Sequence, residues 1–152
     1  PRPAVAGYAS FAQVRAQLES WRALGVAPEM ESGWPCAQVL AHCAQSIEYS
    51  LHGFPVLKSA VFRSTVGPAA FAVFDVHGAM RHSLVEPIPG APELEGANWP
   101  EALARLEAAI TAFEQHTGAF APHFAYGMLD RAEYERAHLM HFSQHMSLVR
   151  GS

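Results

Sequence analysis

The stretch NWPEALARLEAAITAF, residues 98–113, decides the fold class. Its apolar side chains recur at spacings of four, three, four and three residues, which places on one helical face Trp99, Leu103, Leu106, Ile110 and Phe113. Asn98 and Glu101 stand where an N-cap side chain and a returning carboxylate satisfy the unpaired amides of a first turn. The stretch therefore predicts an amphipathic helix whose apolar face needs other helices to cover it.

Three further segments carry the same helical pattern. They begin at Ser10, at about Pro35 and at Asp130. Ser10 and Asp130 are followed three residues later by Gln and Glu, which is the capping-box spacing, and a proline is well tolerated in a first turn. The second helix is predicted to run to Leu51 and the last to continue past His145. The chain thus predicts four principal helices.

A long mixed segment separates the second and third of these helices. In SAVFRSTVGPAAFAVFDVHG, residues 59–78, we predict mostly helix interrupted at Gly67-Pro68, with a strand at AAFAVFDV as the alternative. EPIPGAPELEG, residues 86–96, holds three prolines and two glycines and predicts an irregular loop. The expected fold is an all-α four-helix bundle with a long crossover between helices 2 and 3. It forms a single domain over residues 8–149, with tails at 1–7 and 150–152.

Composition argues against several classes of function. The net charge is −4, with ten Lys plus Arg and no basic run, which argues against binding to nucleic acid or to an anionic membrane surface. No segment approaches 18 uninterrupted apolar residues, so no membrane span is predicted. The localisation stays open between the cytoplasm and, if an N-terminal signal has been removed, the periplasm.

The last predicted helix contains HLMHFSQH, residues 138–145, with three histidines. His141 and His145 stand at i and i+4, project from one face and can hold one metal ion. His138 precedes them by one turn as a further ligand or as a neighbour of the site. The zinc-protease pattern requires a glutamate between the two ligands, whereas the residues between them here are Phe142, Ser143 and Gln144.

The second predicted helix supplies His42 within a polar stripe on an otherwise apolar helix, formed by Gln38, Gln45, Ser46 and Tyr49. Buried polar groups need hydrogen-bond partners, so this stripe predicts a water-filled pocket at one end of the bundle. One imidazole from this helix and two from the last would form a three-histidine site with an open coordination position, suited to Zn²⁺, Ni²⁺ or Fe²⁺. His123, in the turn before the last helix, is either structural or part of the pocket lining. Solvated or capping positions are expected for His52, His77, His82 and His116.

A wider pattern accompanies these histidines. Residues 34–55 read W-x3-QVL-x-H-x3-SIE-x-S-x2-G-x-P, PIPGAP follows at 87–92, and a His-x-x-Tyr-Gly turn at 123–127 precedes the His141/His145 pair. With these features the chain resembles the DinB/YfiT-like superfamily, which consists of four-helix-bundle metalloenzymes, and more closely a branch classed as a domain of unknown function. That branch usually has proline where Phe124 stands here, and a further histidine where Gln144 stands.

The resemblance implies a divalent metal ion, Zn or Ni, bound by His42, His141 and His145. It also implies a low-molecular-weight thiol as cosubstrate, and it makes a homodimer plausible because related bundles pair and the aromatic segment 61–74 needs cover. Gln38, Gln45, Ser46 and Tyr49 would orient the ligands from the second helix, with His123 and His138 as the best acid/base groups.

Three functions stay open on this basis. The first is a metal-dependent enzyme that is either transferase-like with a thiol or hydrolase-like. The second is a non-catalytic metal-binding or stress-responsive helical bundle. The third is a dimerising bundle in which the histidines bind no metal.

Overall fold

A computed structural model describes residues 2–151 as an all-α bundle, which confirms the predicted fold class. The helices are α1 (Phe11–Leu24), α2 (Cys36–His52), α3 (Ala60–Ser64), α4 (Val66–His77), α5 (Trp99–Gln115) and α6 (Arg131–Met146). Within residues 2–151 the only β-type pairing consists of two isolated bridges, Met30 with Val149 and His123 with Gly127. No helix in this range has the length and apolarity needed to cross a bilayer. The predicted tails include Pro1 and Ser152, which lie outside the described residues.

The predicted helix starts are confirmed by their caps. The Ser10 side chain accepts a hydrogen bond from the Gln13 amide at the start of α1, and the Asn98 side chain accepts from the Glu101 amide at the start of α5. At α6 the capping box is complete, because Asp130 and Glu133 bond reciprocally at 2.8 and 3.0 Å. Since each side chain satisfies amides that have no partner inside the helix, the three helices begin where the sequence places the caps.

The four long helices pack around one apolar core. α2 packs most extensively against α5 and also contacts α6, while α1 lies against α5. The core contains fully buried side chains from each of these helices, among them Leu18, Leu40, Ile110 and Met140. This arrangement brings His42 of α2 next to the histidine face of α6.

The crossover forms two helices, so the alternative of a strand at AAFAVFDV is wrong. The helical break falls at Thr65, two residues before the predicted interruption at Gly67-Pro68. Pro68 lies in the first turn of α4, where its missing N–H leaves no hydrogen bond unmade. Gly67 is buried because the start of α4 lies directly against the main chain of Ala125. A Cβ on Gly67 would overlap the Ala125 carbonyl oxygen.

The aromatic side chains of segment 61–74 are covered within the chain itself. Phe71 is buried, and Phe62 and Phe74 are half-buried against the core. The large apolar side chains that remain exposed between residues 61 and 76 are four valines: Val61, Val66, Val73 and Val76. Residues of the crossover lie over the end of the bundle that carries the histidines and line the cavity there.

Candidate metal centre

Three histidines converge between α2 and α6. One ligand atom from each of His42, His141 and His145 can be chosen so that all three atoms lie within 4.8 Å of one another. The Nε2 atoms of His42 and His141 are 3.0 Å apart. For comparison, two nitrogens on one tetrahedral zinc ion lie about 3.3 Å apart, because each Zn–N bond is about 2.0–2.1 Å. The His42–His141 spacing is close to this value, whereas a group whose members lie up to 4.8 Å apart would have to contract around an ion.

Burial keeps the three imidazoles neutral at physiological pH. Burial lowers the pKa of His42 to about 4. The pKa of His145 is lowered to about 3, chiefly by burial and then by the neighbouring His42 and His82. The pKa of His141 also lies well below its ordinary value, chiefly because of burial and then because of the adjacent imidazoles. A neutral imidazole is the form that binds a metal, so these side chains need release no proton when an ion binds.

The rings also leave nitrogen atoms without partners. Within residues 2–151, the buried Nδ1 atoms of His42 and His145 have no hydrogen-bond partner. A buried imidazole nitrogen in this state is unfavourable by about 1–3 kcal/mol. Because one imidazole binds an ion through only one of its nitrogens, an ion between the Nε2 atoms of His42 and His141 would leave His42 Nδ1 unpaired, whereas His145 could bind it through Nδ1. Three imidazoles are a donor set that suits zinc, nickel or iron. The residues present therefore fit a divalent transition-metal ion.

Trp34 forms the apolar wall behind the histidines. Its ring packs edge-on against His42, with centroids 5.1 Å apart, and stacks on His145 at 6.3 Å with an interplanar angle of 12°. The indole thus fixes the orientation of two of the three imidazoles by packing. Among the tryptophans of the described residues, Trp34 is the one with ring contacts to these histidines, while Trp21 and Trp99 pack against each other at 5.9 Å.

A cavity of about 330 Å³ opens beside the histidines. His42 and His141 form part of its wall, whereas His145 lies behind them. The opposite wall comes from the crossover and from the turn before α6, with Phe74, Met80, Ile88, His123 and Tyr126. This volume lies at the lower end of the range for small-molecule sites. A ligand in the cavity would therefore have access to the open side of the metal centre.

The polar residues predicted on α2 lie in different surroundings. Ser46 lines the cavity, but Gln38, Gln45 and Tyr49 are not part of its wall. Gln45 is buried and its Nε2 donates to the Pro92 carbonyl at 3.3 Å, which ties α2 to the crossover. Tyr49 packs on Phe54. Of these four, Ser46 alone lies where it can contact a ligand.

His138 is in the cavity wall but not in the group of three histidines. Its Nε2 lies 3.1 Å from Ser50 Oγ, and the Ser50 hydroxyl donates to the Ile47 carbonyl at 2.6 Å. The hydroxyl proton is therefore engaged, so His138 donates from Nε2 to Ser50. His138 is a neighbour of the metal centre that is anchored to α2.

His82 was expected at a solvated or capping position; it is exposed, and it also forms part of the cavity wall. Its Nε2 is 2.9 Å from the Tyr126 hydroxyl, and its ring centroid is 6.2 Å from that of His141. No local pattern in the sequence distinguishes it, because it belongs to an irregular segment and reaches the site only through the path of the crossover. The pair His82–Tyr126 was therefore missed by reasoning from the sequence.

The family relationship agrees with the extent of this bundle. The family described as protein of unknown function DUF1569 matches the chain over residues 6–152. The chain belongs to this family. No curated protein and no solved structure matches this DUF1569 chain significantly.

Proposed function

We propose that this protein is a divalent-metal-dependent enzyme acting on a small molecule bound in the 330 Å³ cavity. The observation that supports the proposal most strongly is the convergence of His42, His141 and His145 at the edge of that cavity. A site that only stabilised the fold would need no cavity beside it, and structural zinc sites have four protein ligands rather than three. Zinc and nickel are the ions we propose.

We also propose kinship with the DinB/YfiT-like bundles. It is supported by the helix order, by the position of one histidine on α2 and by the i, i+4 pair on α6. This kinship makes a low-molecular-weight thiol the first cosubstrate to test. When bound, a divalent ion lowers the pKa of a thiol or water and polarises a carbonyl group.

The chain's own residues define what the cavity does to its ligand. Phe74, Met80 and Ile88 give the wall an apolar part. At the same wall the Tyr126 hydroxyl and His82 Nε2 share one hydrogen bond, so a proton is held between these two atoms within reach of a ligand. Proton transfer to or from the reacting molecule would pass through this pair.

Cobalt substitution provides the test. The protein is purified without a histidine tag, loaded with Co²⁺ and titrated with 2-mercaptoethanol, while the visible spectrum is recorded. We expect one cobalt ion per chain and a thiolate-to-cobalt charge-transfer band that is absent from the His42→Ala variant. Cobalt bound without any spectral response to thiol would favour a hydrolytic reaction or a non-catalytic metal site. A wild-type chain that binds no divalent metal would refute the proposal.

A further inference from the structure

His123 has a defined tautomer. Its Nδ1 accepts hydrogen bonds from the main-chain amides of Ala125 and Tyr126, at 3.1 and 3.0 Å. A ring nitrogen that accepts hydrogen bonds carries no proton, so the neutral imidazole holds its single proton on Nε2. The ring is therefore an acceptor toward its own turn and a donor on the opposite side.

The surrounding turn holds this ring in place. His123 stacks on Tyr126 with centroids 4.2 Å apart and an interplanar angle of 9°, and the edge of Phe54 packs on it at 5.2 Å. The main chains of His123 and Gly127 are joined by two hydrogen bonds of 2.8 and 3.3 Å. Gly127 has φ +81°, and a Cβ there would meet the Arg63 carbonyl oxygen at 2.6 Å. The donor is thus pre-organised before any ligand arrives.

The free side of the ring faces the cavity. His123 forms part of the cavity wall, and within residues 2–151 its Nε2 has no hydrogen-bond partner. Unlike the Nδ1 atoms of His42 and His145, this nitrogen is not fully buried, and we infer that it is accessible from the cavity that its ring lines. Burial, with smaller effects from His138 and His82, lowers the pKa of His123 to about 3. The ring therefore remains a neutral, single-proton donor at physiological pH.

We propose that the Nε2–H of His123 binds an acceptor oxygen of the substrate, and that the substrate is a small, mainly apolar molecule with a carbonyl or carboxyl group. The apolar part would lie against Phe74, Met80 and Ile88. The charged residues in the wall, Lys58 and Glu86, have opposite signs and the imidazoles are neutral, so the side chains themselves add no net charge to the cavity. Attraction for an anionic oxygen would come from the proposed metal ion. The inference rests on the proposed function in that it assigns the substrate to the same cavity.

The tautomer is tested first on the wild-type protein. Two-bond ¹H–¹⁵N correlation spectra of the labelled imidazoles, assigned with the His123→Asn variant, should show His123 protonated at Nε2 and unprotonated at Nδ1. A ring protonated at Nδ1, or at both nitrogens at neutral pH, would overturn the inference. This measurement needs neither a metal ion nor a substrate.

The binding role is tested with two probes of the same shape, acetophenone and α-methylstyrene, which differ only in the carbonyl oxygen. We expect acetophenone to bind roughly three- to tenfold more tightly, the effect of one neutral hydrogen bond, and to shift the His123 Nε2–H resonance. His123→Asn should abolish the preference, because its side-chain oxygen can still accept from the two turn amides but its shorter side chain places no N–H where the Nε2–H of His123 stood. His116→Asn, outside the cavity, is the control and should keep the preference.

Zinc-loaded and EDTA-treated proteins separate this inference from the proposed function. If the preference for acetophenone persists in the zinc-loaded and in the EDTA-treated protein and is lost in His123→Asn, the hydrogen bond from His123 is supported, whether or not the chain binds metal. If the preference survives in His123→Asn but vanishes with EDTA, the carbonyl oxygen of acetophenone binds the metal ion rather than His123. Equal affinity of the wild type for the two probes, or no binding of either up to its solubility limit, would also overturn the inference.

Discussion

The Nε2 atoms of His42 and His141 lie 3.0 Å apart, although 99 positions separate the two residues along the chain. This pair, rather than the i, i+4 pair on α6, faces the cavity. The contact joins α2 to α6, so the metal centre lies at the junction between two bundle helices and its third histidine, His145, lies behind the other two. An ion held there would both bind a ligand and link the helices.

Metal content should depend on His42. We expect His42→Ala to reduce bound zinc from about one ion per chain to background, since loss of one of three ligands weakens binding by more than the roughly 10- to 100-fold typical of an outer hydrogen bond. Elemental analysis after dialysis measures this. His77→Ala, an exposed histidine at the end of α4, should retain the wild-type content. Equal metal loss in both variants would contradict the assignment.

Tryptophan fluorescence should report occupancy of the site. The Trp34 ring lies 5.1 Å from that of His42, close enough for a bound Ni²⁺ or Co²⁺ ion to quench its emission. We expect quenching that saturates at one equivalent of metal. In Trp34→Phe the remaining emission of Trp21 and Trp99 should respond much less. Quenching of the same size in this variant would place the ion elsewhere in the protein.

The metal-free protein should lose stability as the pH falls below about 6.5. Burial lowers the pKa values of His123 and His138 to about 3, so the unfolded chain binds protons between about pH 6.5 and 3 that the folded chain does not. In that window, each such histidine lowers the free energy of unfolding by about 1.4 kcal/mol for every unit by which the pH falls. Urea denaturation between pH 7 and 5 measures the slope. His138→Gln should make it shallower by about 1.4 kcal/mol per pH unit, and an unchanged slope would contradict the prediction.

An added side chain at the contact between α4 and the His123 turn should destabilise the protein. Gly67→Ala places a Cβ on the Ala125 carbonyl, and the backbone shift should lower the free energy of unfolding by about 3 kcal/mol. Gly118→Ala is the matched control, since its Cβ would meet open space and only the positive φ of 92° opposes it, at about 1 kcal/mol. The resonances of the His123 ring should move in the first variant alone. Identical losses of stability in the two variants would show that the contact is not tight.

Local patterns in the sequence were sufficient for the helices. Ser10, Asn98 and Asp130 cap helices where predicted, because capping depends on groups within four residues of each other. The proximity of His141 and His145 follows from helical geometry for the same reason. The break was predicted at Gly67-Pro68 but lies at Thr65. Its position goes with the approach of Arg63 in α3 to Gly127 and of Gly67 in α4 to Ala125, which no local pattern records.

The sequence alone thus determined the all-α class, the start of each capped helix and the position of His141 and His145 on one face of α6. The tertiary structure decided which of these histidines meet His42, on which side the centre opens and which tautomer His123 adopts. It also brought His82 to the Tyr126 hydroxyl in the cavity wall. These features join segments tens of residues apart, so they depend on the path of the crossover and on close packing rather than on periodicity. The role of the three histidines as metal ligands stays a prediction, to be tested by metal content.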